Sequence, residues 1–155
     1  MGIETELLFE MQLDIPPAYQ VGPAPTGARI IAPIVGGTVK GPKISGKVLN
    51  SGGDWMVVGA DGTMIIDVRC AIEAEDGTVI YVTYGGRIAI PAEAAPEVFN
   101  PETVDAVDPS RYYFRSTPLF EVGLGTPHAW LNSVVAVGTG KFIKGGVKYT
   151  VYAVK

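Results

Sequence analysis

Asp67 and Arg69 stand two residues apart in the stretch Thr63 to Ile72, TMIIDVRCAI, and this acid and base are the first feature of the chain that could do chemistry. In an extended strand they share a face, about 7 Å apart, with Ile65 beside them. Met64, Ile66, Val68, Cys70 and Ile72 take the opposite face. A guanidinium can hold an oxygen on which negative charge develops, and a carboxylate raised toward neutral pH by an apolar wall can move a proton. The run Tyr112 to Val122 repeats the pattern, with Tyr113, Arg115, Leu119 and Glu121 on one face and Phe114, Phe120 and Val122 on the other. A third face carries Trp130, Asn132, Val134 and Ala136. If these three faces line a barrel, its interior is a mostly apolar pocket with a few converging polar groups, the usual make-up of a small-molecule site. The expected catalytic residues are then Asp67, Arg69 and Arg115. Asp54, Trp55, Tyr84, Tyr113, Glu121, Trp130 and Asn132 are expected to contact substrate.

The same residues also fit a plainer account. Asp67 with Arg69, and Glu121 with Arg115, fit ion pairs on the outer surface, which contribute little. The face from Met64 to Ile72 is then the interior, and strand phase alone leaves both assignments open. Trp55 and Trp130 fit packing roles, Asn132 can satisfy backbone groups, and Asp54 after Gly52-Gly53 can cap a turn.

Composition limits the chemistry. The net charge of -4 and pI of about 4.9 provide no basic footprint for phosphates, so nucleic acid is not an expected partner. His128 is the single histidine and Cys70 the single cysteine, so neither a His/Cys metal cluster nor an intrachain disulfide can form, and no metal or other cofactor is expected. No Gly-rich phosphate loop opens a helix. The start, MGIETELLFEM, is acidic, and no run approaches the about 20 apolar residues of a membrane span, so a cytoplasmic protein with no membrane association is expected.

The elements that must position these residues are strands. Leu7, Phe9, Met11 and Leu13 alternate with polar neighbours up to Pro16-Pro17. Val21 to Gly27 reads as a Pro/Gly-rich connection, Ala28 to Val35 as a strand with Pro33 at an edge or bulge, and Lys43 to Leu49 as a short strand. Gly52 to Trp55 precedes a hairpin from Trp55 through Asp61-Gly62 to Ile72. Thr78 to Tyr84 is β-branched and aromatic. Between Gly85 and Tyr112, Pro-initiated acidic segments predict one or two short helical turns. The last strands are read as Ala129 to Val137 and Val147 to Val154, joined through Gly138-Thr139-Gly140-Lys141 and Gly145-Gly146. At 155 residues this predicts one all-β domain over 1–155, an antiparallel sandwich or closed barrel.

Several motifs in order then carry a family resemblance: Gly36-Gly37-Thr38 with Gly41-Pro42, Gly52-Gly53-Asp54-Trp55, Asp61-Gly62 before Asp67-x-Arg69, Tyr113-Phe114-Arg115-x-x-Pro118-x-Phe120-Glu121, Trp130-Leu131-Asn132 and Val147-x-Tyr149-x-Val151-Tyr152. Together they resemble the DUF3237 (UPF0311) family over nearly the whole chain. The resemblance implies an antiparallel β-barrel similar to the allene oxide cyclase and dirigent barrels, usually dimeric, with no agreed activity. It places Asp54, Trp55, Asp67, Arg69, Arg115, Trp130 and Asn132 at motif positions.

The expected function is a cofactor-independent lyase, isomerase or cyclase acting on a small carbonyl or aromatic compound. Two alternatives stand beside it: a non-catalytic, lipocalin-like carrier of a small apolar ligand, and a structural homodimer joined through an outward apolar face. The enzyme needs its charged residues to reach a cavity open to solvent; the carrier needs only the cavity; the structural dimer needs neither.

Overall fold

The core is drawn by strands whose alternate residues are apolar. In the computed structural model, which describes residues 2–155, strand β7 (Met64–Ala74) buries Ile66, Val68, Cys70, Ile72 and Ala74 and turns Ile65, Asp67 and Arg69 outward. This settles the phase against the expectation that Asp67 and Arg69 face the interior. Burying an aliphatic side chain stabilises by about 1.5–3 kcal/mol, whereas an ion pair taken inside must recover the hydration it loses. Ile66, Val68, Cys70 and Ile72 are each at most 2% exposed.

The other strands are β1 (Thr5–Asp14), β2 (Tyr19–Ala24), β3 (Gly27–Ile34), β4 (Gly36–Lys40), β5 (Gly46–Val48), β6 (Gly52–Val58), β8 (Val79–Ala89), β9 (Tyr113–Ser116), β10 (Leu119–Val122), β11 (Ala136–Ile143) and β12 (Gly146–Val154). All pairings are antiparallel. They close the circuit β1-β4-β5-β7-β8-β9-β11-β12 and back to β1, where Thr5 pairs with Val154. The result is a β-barrel. Closure leaves no free edge within this circuit, while β2 and β10, outside it, each keep one edge unpaired. At one end β6, β3 and β2 extend the wall beyond β5 and β4.

Non-strand structure is short: helix α1 (Ala95–Val98) and 3₁₀ turns at Val104–Ala106, Pro109–Arg111 and Ala129–Ser133. The first three lie where Pro-initiated segments predict helical turns. No helix among the described residues is long and apolar enough to cross a membrane.

Several segments differ from the sequence reading; the turn expected at Gly36 to Pro42 holds strand β4, and β8 continues past Tyr84 to Ala89. Val21 to Ala24 pairs as part of β2 rather than forming a loose connection, because Ala28 and Arg29 of β3 supply ladder partners for Pro23 and Gly22. Gly52 to Trp55 lies inside β6, where Gly52 lets the strand press on β7; a Cβ there would collide with the Arg69 carbonyl. Ala129 to Ser133 is a 3₁₀ turn rather than a strand, and β11 starts only at Ala136 and runs through Gly138-Thr139-Gly140-Lys141. The glycines there provide room inside: a Cβ on Gly140 would stand 2.5 Å from the Phe114 ring.

Candidate functional site

The barrel end walled by β6, β3 and the start of β12 holds a cavity of about 360 Å³. Ile15, Pro16 and Pro17 border it where β1 gives way to β2, and Met56, Ile88, Phe114, Phe142 and Val147 form its apolar sides. The aromatic wall is built edge to face and tilted: Phe114 lies 5.2 Å from Phe142 and 5.3 Å from Tyr149 between ring centroids, and Tyr149 lies 5.3 Å from Tyr84. Such stacking fixes the rings and hence the shape of the space. Asp54 is the one charged residue in the lining.

Strand phase puts Asp54 there. On β6 the residues Asp54 and Met56 face inward while Trp55 faces out, and Asp54 sits between Ala32 of β3 and Val68 of β7. Asp54 is 7% exposed. Its Oδ1 accepts a hydrogen bond of 2.9 Å from the Asp67 backbone N–H. Burial raises its pKa from 3.8 to about 6; the Asp67 amide bond opposes the rise and the Asp67 charge adds to it. A carboxyl poised there is present in both protonation states near neutral pH, the condition for general acid or base work. Around it, burial pushes the hydroxyls of Tyr84 and Tyr149 up and the Cys70 thiol up to about 12, so all three stay neutral. The hydroxyls of Tyr84 and Ser116 are buried without a hydrogen-bond partner among the described residues. No three His, Cys, Asp or Glu side chains among the described residues converge as a metal cluster would require.

The residues singled out in the sequence divide into two groups. Asp54 and Tyr84 come together inside the barrel. Asp67 and Arg69 lie on the outer face, where they form a 3.5 Å ion pair with both side chains more than half exposed, and the Arg69 guanidinium sits 5.9 Å over the Trp55 ring. Trp55 itself is 37% exposed. Arg115 and Tyr113 are also external, 5.0 Å apart as a cation–π pair, and border an open surface groove with Arg111 and Asp61. That groove is larger, about 760 Å³, but among its lining residues no carboxyl or basic side chain is buried. Glu121 is exposed on β10. Trp130 carries the Lys43 ammonium 5.4 Å above its ring, and Asn132 binds the N–H and carbonyl of Val122 at 2.9 Å each, a clamp between the 3₁₀ turn and β10. The outer-surface account fits Asp67, Arg69, Tyr113, Arg115 and Glu121 because β7, β9 and β10 have richer apolar faces to bury.

Tyr149, Phe114, Phe142 and Met56 escaped the sequence reading as site residues, although Phe114 and Tyr149 stand in its motifs. A usable signal existed for Tyr149: it alternates with Val147, Val151 and Ala153, so a phenol sits in an otherwise aliphatic inward row. Asp54 followed Gly-Gly and therefore resembled a turn residue.

Known proteins share this architecture. The sequence profile described as "Protein of unknown function (DUF3237)" matches residues 3–154. A UPF0311 protein of Rhodopseudomonas palustris is 35% identical over 137 residues, 88% of this chain and 87% of that one. The crystal structure of the conserved protein of unknown function RPA1785 from Rhodopseudomonas palustris superposes with a TM-score of 0.89 at 33% identity, covering 100% of this chain and 99% of the other. The "Hydroalkoxylation enzyme phnH" of Penicillium herquei is 31% identical over 98 residues, 61% of this chain and 65% of that protein. With the motifs, the barrel and a profile match spanning nearly every residue in agreement, the chain belongs to the DUF3237 (UPF0311) family.

Proposed function

We propose that this protein is a cofactor-independent isomerase or cyclase that holds a small, largely apolar substrate in the barrel-end cavity and uses Asp54 to move a proton. The observation that carries this reading is a buried carboxyl, raised to about 6, as the one charged group lining a cavity otherwise walled by aliphatic and aromatic side chains. Charge of that kind is costly to bury and is tuned by its surroundings toward acid–base work. The name of the Penicillium relative supplies a concrete reaction class, addition of a hydroxyl across a carbon–carbon double bond. In such a step the neutral Asp54 acid gives its proton to one alkene carbon. The substrate's own hydroxyl oxygen bonds to the other carbon, and the proton this oxygen sheds returns to the Asp54 carboxylate. The product is an isomer of the substrate, so the balance needs no oxidant, reductant or second reactant. Tyr149 offers a neutral hydroxyl for a substrate oxygen.

The test uses a panel of hydroxy- and phenol-substituted alkenes incubated with the protein in D2O, with products read by mass and NMR. A cyclised product carrying one deuterium on carbon is expected, and Asp54→Asn is expected to lower its rate by about 100-fold or more while ligand binding persists. Undiminished turnover in Asp54→Asn would overturn the proposal. Binding without turnover in the native protein would favour the carrier reading.

A further inference from the structure

The β6–β7 ladder is interrupted beside Asp54. Gly53 pairs with Arg69, Asp54 with Val68, Val57 with Ile65 and Val58 with Met64, in one unchanged register, yet Trp55 and Met56 have no ladder partners on β7. That register sets Trp55 opposite Asp67, and the Asp67 N–H points toward β6 because it reaches Asp54. Regular antiparallel pairing would join this N–H to the Trp55 carbonyl. Both groups have found other partners. The Asp67 N–H donates to Asp54 Oδ1 at 2.9 Å, and Arg29 Nη1, from β3 on the outer face, donates to the Trp55 carbonyl at 2.7 Å. On its other edge β6 pairs regularly with β3, with Ile31 opposite Trp55, so the break is confined to one step of one ladder.

We infer that Arg29 is a positioning residue for Asp54: by occupying the Trp55 carbonyl from outside the barrel it holds the ladder open and leaves the Asp67 N–H for the interior carboxyl. A charge-assisted bond from a guanidinium is strong enough to compete with a backbone partner. Among the described residues Arg29 forms no ion pair, and its guanidinium donates to this carbonyl. Without it, the Trp55 carbonyl is free to recapture the Asp67 N–H, and Asp54 loses the bond that favours its charged form. The other ionisable groups near Asp54 are the Tyr84 hydroxyl from β8, the Tyr149 hydroxyl from β12, and Asp67 on β7, whose own carboxyl points outward. None of them replaces the lost donor from the outer face. The catalytic consequence rests on the proposed role of Asp54; the structural consequence does not.

The experiment is NMR on the full chain. In the native protein, scalar coupling across the hydrogen bond should connect the Asp67 amide nitrogen to the Asp54 carboxyl carbon. In Arg29→Met, which keeps the aliphatic stem and removes the donors, that coupling should move to the Trp55 carbonyl carbon, and the Asp54 carbon-13 titration midpoint should rise by about one pH unit. Arg29→Lys, which keeps a donor, should restore both. The alkaline limb of any turnover profile, where the Asp54 acid ionises, should move with the midpoint while KM holds. Native coupling and an unchanged midpoint in Arg29→Met would overturn the inference, as would coupling from Asp67 to Trp55 in the native protein. Should Asp54→Asn keep full turnover while Arg29→Met moves coupling and midpoint, the proposed function fails and the positioning role stands.

Discussion

Tyr84 and Tyr149 meet edge to face inside the barrel, with ring centroids 5.3 Å apart and planes at 75°. The Tyr84 hydroxyl is buried, and among the described residues no group meets hydrogen-bond geometry with it. An unpaired buried hydroxyl costs about 1–3 kcal/mol of desolvation. Tyr84→Phe keeps the ring contact and removes that cost, so it is expected to stabilise the protein by about 1 kcal/mol in denaturant unfolding. A loss of similar size would mean that the hydroxyl is bonded in solution.

Asp54 makes stability depend on pH in a defined direction. Its folded-state pKa, about 6, stands above the ordinary 3.8, so the neutral acid is the favoured buried form. Its stabilising contribution is fully present below about pH 3.8 and is lost as pH rises through about 6. A shift of this size corresponds to about 3 kcal/mol. Asp54→Asn, neutral at every pH, is expected to be more stable than the native protein at pH 8 by up to that amount and nearly equal to it at pH 3.5. Denaturation midpoints at the two pH values give the comparison; equal differences at both would show that Asp54 ionises freely.

The outer charges should matter little. Exposed ion pairs contribute about 0–1 kcal/mol, and the bond that Asp67 gives Asp54 comes from its backbone, which survives a side-chain change. Asp67→Ala, Arg69→Ala and Arg115→Ala are each expected to unfold within about 1 kcal/mol of the native protein and to leave ligand affinity in the cavity unchanged. Calorimetric titration with a cavity ligand checks this, and a tenfold loss of affinity in any one of them would return the site to the outer face.

Gly140 is expected to be intolerant for a steric reason. A methyl group there would press on the Phe114 ring at 2.5 Å, and over-packing of a filled core costs about 1–3 kcal/mol. Because Phe114 lines the cavity, Gly140→Ala should also push that ring into the space where ligand binds. The expected result is lower thermal stability together with weaker ligand binding; a native-like melting curve would count against the tight packing.

Strand content and the closed antiparallel architecture were legible in alternation such as Leu7 to Leu13 and Met64 to Ile72, where period-two burial leaves little choice. Which face of β7 points inward was not legible, because an acid and a base on one face suit either a lined pocket or a solvated surface. Only the ring of neighbouring strands, each offering a fuller apolar face, decides it. The 3₁₀ turn at Ala129–Ser133 was hidden because Trp, Leu and Val suit a strand locally, while the Asn132 clamp on Val122 that holds the turn is a contact between segments. Asp54 was legible as a motif residue and not as a buried acid. Its burial depends on Ala32 and Val68, which reach it across two ladders.

The pairing of β1 with β12 also shapes how the protein can fold. Thr5 and Val154 meet across the seam, so closing the ring requires the largest loop the described strands contain. During synthesis β1 waits with one edge bare until β12 emerges, although β4 can cover its other edge early. Completion of the barrel is therefore a late event that depends on contacts distant in sequence, the circumstance in which folding is slow and unpaired edges are exposed to other chains. The seam that protects the finished barrel from aggregation is the part of the nascent chain most open to it.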